Sequence, residues 1–240
     1  MDFLENKFFL LALTFAFFFG AKELQKKTGF ILLNPILVTI ALLIVFLQFT
    51  GISYETYEEG GYLIEFWLKP AVVALGVPLY LQLETIKKQL LPIIVSQLVG
   101  CLVGIVSVVG VAKLLGATQE VIVSLASKSV TTPIAMEVTQ AVGGIPSLTE
   151  AFTPYSLAAL VLVCVGIFGA IFGFKVLSIG HVKSPIAQGL SMGTASHAVG
   201  TSAAMEVSGK YGAYAGLGLT LNGIFTALFT PTILRMLGLI

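Results

Sequence analysis

Apolar runs of roughly bilayer-crossing length, separated by short charged or Gly/Pro-containing stretches, set the reading of this chain. About 20 predominantly apolar residues are needed to cross the hydrocarbon core as a helix. On that basis spans are predicted at 8–22, 30–50, 64–84, 91–113, 153–176 and 211–237. The first is short, so it is expected to tilt or to start nearer residue 4. Asn34-Pro35 sits at the start of the second, where proline is tolerated. Pro70, Gly76 and Pro78 predict a kink in the third, because an interior proline removes a hydrogen bond and clashes with the preceding turn. Residues 51–62 hold Glu55, Glu58 and Glu59 without Lys or Arg and read as an external loop.

Two polar stretches interrupt the second half, and they are copies of each other. Residues 127–138 read Ser-Lys-Ser-Val-Thr-Thr-Pro-Ile-Ala-Met-Glu-Val, and 196–207 read Ser-His-Ala-Val-Gly-Thr-Ser-Ala-Ala-Met-Glu-Val; seven of the twelve positions are identical without a gap. Self-similarity at a fixed offset marks a duplication. The same offset of 69 carries Gly100 and Gly104 onto Gly169 and Gly173, a GxxxG in the apolar span before each copy. These four glycines are expected to serve helix packing or oligomerisation. The chain therefore reads as one polytopic membrane domain: N-terminal spans over 1–85, a first repeat over 90–142, a second over 153–210, and a last span over 211–240.

Composition sharpens this picture. Only 10% of the 240 residues are charged, against about 25% in soluble proteins, and mean hydropathy is +0.99. The fold class is an all-α integral membrane protein, and no basic run points to nucleic acid. Cys101 and Cys164 lie inside apolar spans and read as small buried hydrophobes, and no zinc-type spacing occurs. The first span is preceded by Asp2, Glu5 and Lys7 and followed by Lys22, Lys26 and Lys27, the reverse of a secretory signal. It is expected to stay uncleaved, with its N-terminus outside.

The positive-inside rule then places 22–29, Lys87 with Lys88, and 175–184 in the cytoplasm. Eight of thirteen Lys/Arg face in and four face out, with Lys128 inside the first motif. For this to close, each motif must enter and leave on one side, in opposite orientations. That gives about six transmembrane helices plus two re-entrant or broken hydroxyl-rich segments, an inverted-repeat arrangement like that of secondary transporters. The alternative is eight full spans with parallel repeats. Trp67, Tyr54, Tyr57 and Tyr62 read as an interfacial aromatic belt.

Each motif contains a natural break. Thr132-Pro133 reads as an N-cap followed by proline at the first helical position. Gly200-Thr201-Ser202 combines a glycine with hydroxyl caps. A break at membrane depth leaves a helix N-terminus with free N–H groups and a positive dipole end, a ready anion site. Ser129, Thr131, Thr132, Ser196, Thr201 and Ser202 would add hydroxyl donors. Lys128 and His197 are equivalent and expected to converge, so the anion would be a small carboxylate. Glu137 and Glu206 are also equivalent and would act as ion-pair partners or proton carriers. Plainer readings stand beside these. Lys128 and Glu137 could pair to hold one hairpin together. Glu206 could be a solvated helix end, and His197 a buried histidine bonded to a hydroxyl. Several hydroxyls could simply let helices approach closely. A hydrolase built on Ser196, His197 and Glu206 is disfavoured, because neighbouring side chains on a helix point apart. No catalytic residue, metal or cofactor is expected.

Lys128-Ser-Val-Thr-Thr-Pro-Ile-Ala-Met-Glu137, Gly143-Gly-Ile-Pro146 and Gly193-Thr-Ala-Ser-His-Ala-Val-Gly-Thr201 together resemble the signature of the LrgB/CidB family, and the resemblance covers essentially the whole chain. It implies an antiholin-like regulator of murein hydrolase export and cell lysis in the bacterial cytoplasmic membrane. Such a protein would work beside a small LrgA/CidA-type partner and form homo-oligomers. The chain is also similar to the C-terminal half of the plastid glycolate/glycerate transporter, and some bacterial relatives are connected with pyruvate uptake. The resemblance thus joins two functions: a carrier of small monocarboxylates, and a lysis regulator.

Overall fold

The computed structural model describes residues 3–30, 33–74, 76–144 and 157–240, which form α-helices joined by turns and contain no strand. The chain divides into two compact units, Met1–Gly76 and Val77–Ile240.

The first unit holds α1 (Lys7–Thr28), α2 (Pro35–Thr50) and α3 (Tyr54–Ala74). Asn6 caps α1 by accepting from the Phe8 N–H at 2.9 Å. Asn34 caps α2 in the same way, accepting from the N–H groups of Ile36 and Leu37 at 3.0 and 3.3 Å, with Pro35 as the first helical residue. These caps satisfy donors that the first helical turn leaves orphaned. Gly29 and Gly51 end the two helices in the left-handed conformation that glycine adopts without a Cβ penalty. At 22 residues, α1 is longer than its apolar run, because it continues through Lys22, Lys26 and Lys27. It packs on α3 where Gly60 meets the Lys7 carbonyl; a Cβ there would lie 2.9 Å from that oxygen. Thr14 and Tyr57 join the same pair through a 3.0 Å hydroxyl contact.

Residues 54–62 are not a loop but the first turns of α3. The Ser53 hydroxyl accepts from the Thr56 N–H at 3.2 Å, and Glu55 lies in the first turn, where a carboxylate complements the helix dipole. The helix runs through Pro70 and ends at Ala74.

The second unit contains α4 (Gly76–Leu81, whose first residue belongs to the other unit), α5 (Leu83–Lys88), α6 (Leu90–Leu114), α7 (Gln119–Leu125), α8 (Thr132–Ala141), α9 (Leu157–Ile179), α10 (Pro185–Val207) and α11 (Gly209–Met236). On α6 a single stripe, Ile93, Gln97, Cys101, Ile105 and Val109, is buried at four-residue spacing, while Val95, Val99, Val103 and Val106 are exposed. One narrow inward stripe on an otherwise apolar helix is what a lipid-facing helix requires. The stripe meets Ile122 and Val123 of α7 and Ile233 and Leu234 of α11 in the main core.

Helices α10 and α11 approach more closely. A Cβ on Gly189 would stand 2.7 Å from the Tyr211 carbonyl oxygen, and Gly193 lies directly against the Ala215 carbonyl. Helices that associate without a hydrophobic drive between them gain by such backbone approach. Among the described residues three helices, α1, α6 and α11, are long and apolar enough to cross a bilayer; α2 and the Cys164–Ile179 part of α9 are shorter apolar helices. The protein is an all-α membrane protein.

Candidate functional site

The first motif breaks between α7 and α8. Residues 126–131 leave the helical path through turns such as Lys128 N–H to the Leu125 carbonyl at 3.0 Å. Thr131 takes the N-cap position with extended φ/ψ, although its side chain makes no capping bond. The cap is therefore one residue earlier than expected. Pro133 still falls within the first turn, where its missing N–H leaves no ladder bond unmade. Behind the break, the buried Ser127 hydroxyl donates to the Ala135 carbonyl at 3.3 Å and lies 3.2 Å from the Thr139 hydroxyl. It ties the irregular stretch to α8.

The second motif breaks at a different place from the one the glycine suggested. Within α10 the non-helical residues are Ser196 (φ −130, ψ 19) and His197 (φ 40, ψ −136), not Gly200-Thr201-Ser202. A positive φ on a residue with a Cβ costs about 1–3 kcal/mol and persists where the surroundings enforce it. Those surroundings are glycines. Gly169 lies directly beneath Ser196, and a Cβ on Gly166 would stand 2.7 Å from the His197 ring. Gly200 provides room rather than the break, since a Cβ there would stand 2.6 Å from that of Ser196. The Thr201 and Ser202 hydroxyls donate to the carbonyls of His197 and Ala198 at 3.0 and 3.1 Å, so they pair locally.

Between the two breaks, α6 and α11 lies a cavity of about 440 Å³. Lys128 and Ser129 reach it from the first break, Ser191 and Thr194 from α10, Gln97 from α6, and Asn222 with Thr226 from α11. Lys128 is the one charged side chain among the described lining residues, and its ammonium donates to the Ser129 hydroxyl at 2.8 Å. The Thr194 hydroxyl is bonded to the Gln97 carbonyl oxygen. The Asn222 amide donates to the backbone carbonyls of Ser129, at 3.0 Å, and Thr194, at 3.2 Å.

Among the expected site residues, the structure brings Lys128, Ser129, Gly100 and Gly104 to this cavity. Ser196, His197 and Thr201 are buried outside its lining, so Lys128 and His197 do not converge on it. His197 turns instead toward α9, because its positive φ swings the ring onto Gly166. Thr131 is half-buried beside the break, Ser202, Glu137 and Glu206 are exposed, and the Thr132 side chain lies outside the described residues. Gly173 packs on Met192, and Gly100 faces the Thr194 methyl, to which a Cβ would come within 3.3 Å. The polar lining residues outside the duplicated motifs include Asn222, Gln97, Thr194 and Thr226, with Ser96, Ser107 and Ser191. Asn222 and Gln97 did carry a signal, as lone amides within apolar spans. Among the described residues no three His, Cys, Asp or Glu side chains gather as they would around a metal ion.

A helical membrane protein in which two duplicated segments break beside one polar cavity is the class that fold and site define. Its membership can be stated more narrowly: the chain belongs to the LrgB-like family, whose model matches residues 14–236, as the motif resemblance implied. It is 34% identical over 227 residues to the holin-like protein CidB of Staphylococcus epidermidis, covering 95% of each chain. It is equally identical over 223 residues to the antiholin-like protein LrgB of Bacillus mycoides, covering 93% of each. No solved structure matches the chain.

Proposed function

We propose that this protein is a holin- or antiholin-like membrane regulator of murein hydrolase export and lysis, working in the bacterial cytoplasmic membrane with a small LrgA/CidA-type partner. The observation that carries this reading is the 34% identity, along nearly the whole chain, to proteins bearing those names. The comparisons support it more directly than they support transport. The test is affinity capture of the tagged full chain from detergent-solubilised membranes of a strain expressing the small partner. Co-purification at fixed stoichiometry is expected. Absence of the partner, together with unchanged extracellular murein hydrolase activity on deletion, would sink the reading.

The cavity supports a second reading: a carrier of small monocarboxylates of the pyruvate, glycolate or glycerate kind. Its basis is the ammonium of Lys128 in a lining of hydroxyls and amides. One cation matches one carboxylate, whereas a second negative charge would be left uncompensated at membrane depth. In this reading Lys128 and Ser129 hold the anion. Ser196, His197 and Thr201 shape the second break from behind, and Glu137 and Glu206 couple transport to protons or cations from exposed faces. In this reading the two breaks enter from opposite sides of the bilayer, the arrangement that the positive-inside rule favours over eight full spans. Uptake of labelled pyruvate, glycolate and glycerate into proteoliposomes, with and without a pH gradient, tests it. Lys128→Ala is expected to lower uptake at least 100-fold, and uptake by that variant at the wild-type rate would refute the site. Both readings can hold together, because carboxylate imbalance across the membrane can itself lead to lysis.

A further inference from the structure

We propose that Asn222 is a clasp: its amide joins the two breaks beside the cavity, and the cavity widens toward Cys101 when the amide lets go. This holds whichever of the two functional readings is correct.

In a helix continued through the first break, the Ser129 carbonyl would receive the N–H of residue 133, which is proline and has none. The Thr194 carbonyl would receive the N–H of Ala198, whose approach runs through the non-helical angles of Ser196 and His197. Both breaks thus put carbonyl oxygens beside the cavity at places where the regular ladder is interrupted. In an apolar surrounding an unpaired carbonyl is costly. Asn222 offers two hydrogens from one nitrogen, at 3.0 and 3.2 Å from the two oxygens. It is 1% exposed and sits on α11, a long helix whose buried face packs into the unit's main core.

Geometry then fixes the consequence. Two oxygens bonded to one nitrogen lie within about 6 Å of each other, by the sum of two ordinary hydrogen bonds. The segments that carry them come from different copies of the duplication. The Ser129 peptide also adjoins Lys128, whose ammonium is bonded to the Ser129 hydroxyl. Asn222 therefore sets both the gap between the breaks and the position of the cavity's cation. The two donors of one short amide are what this requires. Aspartate offers only acceptors toward two carbonyl oxygens, and leucine, of similar bulk, offers nothing.

Cys101 provides the readout. It lines the cavity, is 2% exposed, and its thiol lies 3.5 Å from the Thr226 hydroxyl. In a Cys164→Ala background it is the sole thiol of the full chain. N-ethylmaleimide labelling in detergent micelles is compared for wild type, Asn222→Ala and Asn222→Asp. Asn222→Ala is expected to label Cys101 at least tenfold faster. A rate within twofold of wild type, in a variant with an unchanged gel-filtration profile, would overturn the clasp. Asn222→Asp decides the matter should the alanine variant aggregate. Its labelling rate, divided by the wild-type rate at the same pH, should fall at least threefold from pH 8 to pH 5, as the protonated carboxyl regains one donor. A ratio independent of pH would overturn the proposal as well. A merely space-filling Asn222 would not produce that pH dependence.

Discussion

The two copies of the duplicated motif solve the same problem differently. In the second copy the break is confined to Ser196 and His197, and the α9 glycines Gly166, Gly169 and Gly173 accept the His197 ring, Ser196 and Met192 in turn. The groove that those glycines make is filled. In the first copy the break extends over residues 126–131, and the equivalent α6 positions are Gln97, Gly100 and Gly104. Gly104 has nothing within 4 Å of where a Cβ would lie, and all three positions border the cavity. One ancestral pattern has produced a closed joint and an open one. The cation of the open joint faces the cavity, while the imidazole of the closed joint is packed away. An equivalence read from a duplicated sequence therefore identifies corresponding backbone positions, not corresponding chemistry.

Substitutions at paired positions test this contrast. The largest effect is expected from Gly169→Ala, whose methyl would overlap Ser196. Overpacking of this kind costs about 1–3 kcal/mol, seen as a lowered thermal midpoint of the purified protein. Gly104→Ala should leave the midpoint unchanged or raise it, since alanine favours the helix over glycine by about 1 kcal/mol. Equal losses at both sites would erase the distinction between filled and open grooves.

A second test concerns the strained residue. His197→Gly should be more stable than His197→Ala by about 1 kcal/mol, because φ of 40° penalises a Cβ and spares glycine. Both variants lose the imidazole, so their difference isolates the backbone. Denaturation midpoints in reverse order would place the kink elsewhere. The smallest effect is expected from Gln97→Leu, which removes one of the two acceptors of the Thr194 hydroxyl and leaves it the Leu190 carbonyl at 2.8 Å, at a cost of about 0.5 kcal/mol. Opening Gln97 to glycine should make the first copy resemble the second in sequence without closing it. The added volume would show as faster labelling of Cys101.

Much of this architecture was legible before the structure. The run 91–113 corresponds to α6 at Leu90–Leu114, and the run 30–50, with Asn34-Pro35 at its start, to α2 at Pro35–Thr50. Apolar continuity and proline at the first turn are strong local signals. The acidic stretch 51–62 misled because charge was read as loop, whereas glutamates favour the first turn of a helix and Ser53 caps it. Gly200 misled for another reason. Glycine in a helix marks either flexibility or close approach, and only the neighbour decides which; here it is Ser196. Asn222 was passed over because one amide in 28 helical residues forms no pattern along the chain. Its partners, Ser129 and Thr194, are 93 and 28 residues away.

The glycine-mediated approach of α10 to α11 has a mechanical corollary. Where backbone meets backbone at Gly189, Gly193 and Gly218, no side chain lies between the helices to rotate and absorb displacement. The two helices form a single stiff lever, carrying the tight kink and the Asn222 amide together. Room for displacement lies instead at the α6 face, where nothing stands within 4 Å of a Cβ on Gly104. The packing is thus slack beside the first break and rigid beside the second.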